Sequence, residues 1–167
     1  MNHTGRQPRL VDSAGSAAIN GVINGAIAWQ GFQGSSSIPL SVDRIGAPGV
    51  TALGNSATLA FSLVLIITCI TFFVFRRGAG RAPEAPAALR DMPFLRVGLR
   101  IAIANTLLAF GAFVTAAVLW QRVMGTMEMS PAGATAVVAA VAALATAFAE
   151  WRTKTEMLDL ARRPREG

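Results

Sequence analysis

From Thr51 to Phe75 the chain carries no charged residue, and the second half of that stretch, Leu63 to Phe75, is apolar on every side. About 20 apolar residues, rising 1.5 Å each, cross the roughly 30 Å hydrocarbon core of a bilayer. A soluble core helix of that length without one charge would be unusual, so the stretch reads as a transmembrane helix that stops at Arg76-Arg77. Two further apolar segments follow, at about 97–120 and 131–151. The composition agrees: 53% of residues are hydrophobic, 14% are charged and the mean hydropathy is +0.48, against roughly 25% charged residues in an average soluble protein.

Segment 1, about 10–30, is only mildly apolar but strongly patterned. The unit Ile-Asn-Gly occurs at 19–21 and again at 23–25. At 100° per residue, Ser13, Ser16, Ala17, Asn20, Gly21, Asn24, Gly25 and Ala28 gather on one side, and Ile19, Val22, Ile23, Ala26 and Trp29 on the other. In a membrane the small and amide side turns toward other helices and the bulky side toward lipid. Segment 1 is therefore expected to be a central, protein-contacting helix, with Gly21 and Gly25 forming a GxxxG packing motif. Arg6 and Arg9 followed by this stretch also fit a signal peptide, with Ala26-Ile27-Ala28 placed like a cleavage site. Two asparagines and several glycines make a poor apolar core for one.

Between segments 1 and 2, Gly, Ser and Pro mark a loop with little regular structure. Residues 76–96 form a basic linker with room for a short interfacial helix at 86–92. In segment 3 the small residues Gly98, Ala102, Asn105, Ala109, Ala112 and Ala116 are spaced 4, 3, 4, 3, 4, a heptad-like seam for close helix contact. Ser130-Pro131 opens segment 4 as N-cap and first helical residue. The tail 152–167 continues the helix with Glu150/Lys154 and Arg152/Glu156 at i,i+4.

Arg6, Arg9, the 76–100 region and the tail lie on one side of this plan, and only Arg44 and Arg122 on the other. The positive-inside rule then gives both termini in the cytoplasm. The predicted fold is an all-α polytopic membrane protein, one four-transmembrane-helix bundle over residues 1–167. Segments 1 and 3 both end in Trp-Gln with a glycine four residues beyond (Trp29-Gln30 and Gly34, Trp120-Gln121 and Gly125), an echo that a tandem two-helix repeat would explain.

The tandem Ile-Asn-Gly, Ile38-Pro39-Leu40 and the run Thr71-Phe72-Phe73-Val74-Phe75-Arg76-Arg77 together resemble an uncharacterised family of small bacterial four-helix inner-membrane proteins. The resemblance covers mainly residues 17–77. It implies a bacterial inner membrane and carries no site residues over, because the shared motifs are packing motifs.

Several function classes are disfavoured. The net charge of +6 does not point to nucleic acid, because the basic residues flank apolar segments without interleaved aromatics. One cysteine, Cys69, excludes an intramolecular disulfide and a cysteine-cluster metal site. No nucleophile-base pair, metal-ligand spacing or phosphate-binding glycine loop occurs, so no enzyme, cofactor or metal is expected. Met124, Met127 and Met129 in the outer loop have thioethers that bind copper(I), although apolar contact with headgroups explains them as well. Glu150 reads as a solvated carboxylate at the inner edge of segment 4.

The sharpest polar candidates are Asn20, Asn24, Asn105 and Thr68, with Thr71. Asn20 lies roughly 15 Å and Asn105 roughly 12 Å from the inner edge, so the amides are expected to meet in the bundle interior. Interhelical hydrogen bonds worth about 0.6–2 kcal/mol each would account for them; a polar path or small-ligand site is the alternative. Two functions follow: a structural or accessory membrane protein packing against itself or a larger complex, or a small oligomeric transporter or channel. Water around Asn20, Asn24 and Asn105 favours transport. A dry seam with small residues left facing lipid favours assembly.

Overall fold

The computed structural model describes residues 10–43, 49–81 and 85–162. Its helices are α1 (Ala14–Phe32), α2 (Ala52–Arg81), the short α3 (Ala87–Arg90), α4 (Leu99–Met124) and α5 (Pro131–Arg162). A 3-10 turn, Leu10–Ser13, leads into α1, and a π-helical turn, Phe94–Gly98, leads into α4. Among the described residues, three helices are long and apolar enough to cross a membrane: α2, α4 with its π-helical lead-in, and α5. The chain is thus an all-α membrane protein by its helices. α1, 19 residues long, carries Asn20, Asn24 and several glycines, which leave it outside that class.

The 30 residues of α2 and 32 of α5 extend about 45 and 48 Å, well past a hydrocarbon core of roughly 30 Å. Arg76-Arg77 therefore does not end α2, as the sequence pattern implied. A charge pair marks where a helix leaves the hydrocarbon; its backbone hydrogen bonding continues to Arg81.

α5 is the hub. α1 packs along it antiparallel, α2 packs along it parallel, and α4 packs antiparallel on α2 while touching α5 only lightly. α1 makes no extended contact with α2 or α4. The order α1–α5–α2–α4 is unchanged when the pair α1/α2 is exchanged for the pair α4/α5.

Three buried clusters stack along α2 and α5. Where α2 and α5 begin, Phe32, Ile38 and Leu53 meet Ala134 and Val138. In the middle Leu63 and Val64 meet Ala142, Ala145 and Ala149. Where α2 and α5 end, Phe72 and Ala79 meet Met157 and Leu158, and Leu89 and Met92 close over them. The stretch read as a basic linker is thus largely folded: α2 supplies its start, and α3 with the π-helical turn supplies an apolar cover.

The loops after α1 and α4 also hold more structure than their composition suggested. β1 (Ile38–Leu40) pairs antiparallel with β2 (Met127–Met129), with Ile38 opposite Met129 and Leu40 opposite Met127. Gly125, at φ +72°, turns the chain out of α4 toward β2. The Val42 amide donates to the Gln121 side-chain carbonyl at 2.9 Å, tying the loop to the end of α4. A three-residue alternation is too short to read as a strand from sequence.

At the start of α5 the Gly133 amide donates to Ser130 Oγ at 3.2 Å, the expected N-cap. The seam on α4 differs from the heptad reading. Gly98, Ala102 and Asn105 are buried, but Ala112 and Ala116 face outward while Ala117 turns in and Phe113 is half-buried. From Asn105 outward the contact positions advance by four (105, 109, 113, 117), the i±4 ridge of an ordinary helix crossing.

Candidate functional site

α1 presents to α5 the face its sequence pattern singles out. Ser13, Ala17, Gly21, Gly25 and Ala28 are buried, Ser16, Asn20 and Asn24 are half-buried, and Ile19, Val22, Ile23 and Trp29 are exposed. A Cβ added at Gly21 would lie 3.1 Å from the backbone oxygen of Ala139 and 3.3 Å from the Ala143 methyl; one added at Gly25 would lie 3.0 Å from the Ala139 methyl. The two glycines therefore pack into Ala139 and Ala143, one turn apart on α5. This is the close backbone approach that small residues permit in a membrane, where dispersion rather than apolar burial drives association.

The amides do not converge. Asn20 Nδ2 donates to the Ser16 carbonyl at 3.2 Å, and Asn24 Nδ2 to the Asn20 carbonyl at 2.9 Å. Both are satisfied one turn back on their own helix, a local alternative open to short amide side chains. Asn105, fully buried, instead joins α4 to α5: its Nδ2 donates to Thr153 Oγ1 at 3.3 Å, and its Oδ1 accepts from Arg152 Nε at 3.1 Å. Arg152 Nε also lies 2.9 Å from Glu156. The expected meeting of Asn20 with Asn105 is thus replaced by separate partners, because α1 docks on α5 and not on α4. Sequence reasoning paired Arg152 with Glu156 but missed its second role as donor to Asn105.

Thr68 and Thr71 are buried as expected, but neither pairs with these amides. The hydroxyls of Thr68, Thr106 and Thr146, one from each membrane-crossing helix, are buried without a hydrogen-bond partner among the described residues. Glu150 departs from its reading as a solvated carboxylate. Its side chain is only 15% exposed, it pairs with Lys154 Nζ at 2.9 Å, and Ser13 and Ser16 lie beside it. An acid from α5 thus sits against the start of α1, where the helix dipole favours negative charge.

Between α4 and α5, which barely touch, lies an apolar groove of about 230 Å³. Ala109, Ala112, Val141, Leu144 and Phe148 form most of its wall. Neither this groove nor a second cavity at the C-terminal end of α2 is lined by Asn20, Asn24 or Asn105. Met129 packs on the cluster of Phe32, Ile38 and Leu53, and Met127 is exposed on β2. No protein-family model, no curated protein and no solved structure matches the chain.

Proposed function

We propose that the chain is a structural or accessory membrane subunit, without catalysis, that works by helix packing within an assembly of itself or of a larger complex. The observation that carries this reading is the α4/α5 groove. It is an apolar cleft with small residues in its wall, open beside two membrane-crossing helices whose own contact is slight. The asparagines that a solute path would need are engaged in local or α4–α5 hydrogen bonds. Purified in mild detergent, the chain is expected to run by light scattering as a discrete oligomer or complex. Ala112→Trp, which fills the groove, is expected to reduce it to a monomer with unchanged helix content. The second reading, a small oligomeric transporter or channel, draws support from the buried hydroxyls of Thr68, Thr106 and Thr146. Proteoliposomes of the wild-type chain that pass small solutes would favour that reading over a purely structural one.

In this proposal α1 is the fourth span of a four-helix bundle, set beside α5 in a bacterial inner membrane with both termini cytoplasmic. The exchangeable helix order and the pairing of β1 with β2, each the strand after the first helix of its pair, support a tandem two-helix repeat. Reporter fusions after Arg81 and after Gly167 should both score cytoplasmic; a periplasmic signal from either breaks the topology.

A further inference from the structure

We propose that the inner end of α2 binds the phosphate of an anionic phospholipid. The inference needs the membrane-crossing helices and holds whether the chain assembles or transports. Phe73, Arg76, Arg77 and Gly80 recur at i, i+3, i+4 and i+7, hence on one helix face. With Arg90 of α3 they line a cavity of about 510 Å³. Among the described residues, no aspartate or glutamate lines it. Arg76 Nε donates to the Arg90 carbonyl at 3.0 Å, which holds the end of α3 against the cavity. Among the described residues no carboxylate pairs with Arg76 or Arg77. Gly80 leaves its side of the cavity open, since nothing lies within 4 Å of a Cβ placed there.

A second feature points to a lipid rather than to a free anion. Ile66, Ile70 and Phe73, at i, i+4 and i+7, are each about half exposed and run along α2 to Arg77. Phe73 is held in place by stacking on Phe94, with ring centroids 4.5 Å apart. An apolar track ending in an arginine cluster at the end of a membrane-crossing segment matches an acyl chain joined to a phosphate. Guanidinium is the weakly hydrated, forked donor that suits a phosphodiester, and basic pockets between helices on the cytoplasmic side favour anionic headgroups. A zwitterionic lipid would bring its own cation against the same arginines.

The test is native mass spectrometry of the full chain released from mild detergent with phosphatidylglycerol, phosphatidylcholine or inorganic phosphate added. Wild type is expected to retain phosphatidylglycerol over phosphatidylcholine. Arg77→Gln should lower that retention about fivefold, from roughly 1 kcal/mol for a basic residue at a lipid surface. Arg96→Gln/Arg100→Gln, outside the cavity lining, should leave it unchanged. Equal retention of phosphatidylcholine, or an Arg77→Gln variant that holds lipid like wild type, overturns the proposal. If a variant loses its helical circular dichroism, competition on wild type decides: short-chain phosphatidylglycerol should displace the bound lipid and inorganic phosphate should not. Displacement by both alike would mean a free-anion site and would also overturn it.

Discussion

Gly21→Leu and Gly25→Leu are each expected to cost about 3 kcal/mol in stability and to loosen α1 from α5, the largest effects of any single change at this interface. At Gly21 the first atom a side chain meets is the backbone oxygen of Ala139, at 3.1 Å from a Cβ alone. Backbone cannot swing aside as a flexible side chain can, so the helices must separate. At Gly25 the obstacle is the Ala139 methyl at 3.0 Å. Gly15→Ala is the matched control: nothing lies within 4 Å of its added Cβ, and alanine's helix propensity should leave stability equal or slightly raised, by at most about 1 kcal/mol. Thermal unfolding in mild detergent measures all three. If the leucine variants melt and migrate like wild type, α1 does not use its small face to hold α5.

This interface was legible in the sequence because size and polarity sort cleanly around α1. Ile19, Val22 and Ile23 are exposed while Ala17, Gly21 and Gly25 are buried, the inverse of a soluble helix. What the pattern on α1 lacks is the identity of the partner. α5 is mostly alanine and threonine on several faces, so nearly any of them admits a close neighbour, and the choice of Ala139 and Ala143 lies in tertiary packing. The same limit misdirected the reading of the asparagines. Residue count gives depth only where helix ends are level, and it does not say which helices adjoin: Gly21, next to Asn20, packs on Ala139 and Ala143, whereas Asn105 bonds Arg152 and Thr153, about two turns further along α5, so the two amides differ in depth on helices that share no extended contact. On α4 the small residues Ala112 and Ala116 fitted a heptad seam as well as they fit an outward-facing groove wall; only the crossing with α2 separates the two. The β1–β2 pairing and the folded inner cover were hidden for a different reason. Ile38-Pro39-Leu40 and Met127-Glu128-Met129 are too short for periodicity to register, and Leu89 and Met92 are isolated apolar residues among prolines and arginines.

Asn105→Leu is expected to cost about 1–2 kcal/mol, because it strips an acceptor from Arg152, whose half-exposed side chain keeps water and Glu156, and a donor from the buried Thr153. The direct contact of α4 with α5 is slight, so this pair of hydrogen bonds carries an unusual share of it. Arg152→Met removes the same interaction from the other side while Glu156 loses its i,i+4 partner. A double-mutant cycle between Asn105→Leu and Arg152→Met should therefore return a coupling energy of about 1–2 kcal/mol. The cycle between Asn20→Leu and Asn105→Leu should return none beyond about 0.5 kcal/mol, since the two amides have separate partners on separate helices. The two cycles together discriminate between a set of independent helix pins and one shared polar interior. Strong coupling of Asn20 to Asn105 would mean that the amides meet in a common site after all, and no coupling between Asn105 and Arg152 would mean that their hydrogen bond does not hold α4 to α5. Additivity for the first pair and coupling for the second leave Asn105 as the pin that fixes α4 against α5, and hence the width of the apolar groove between them.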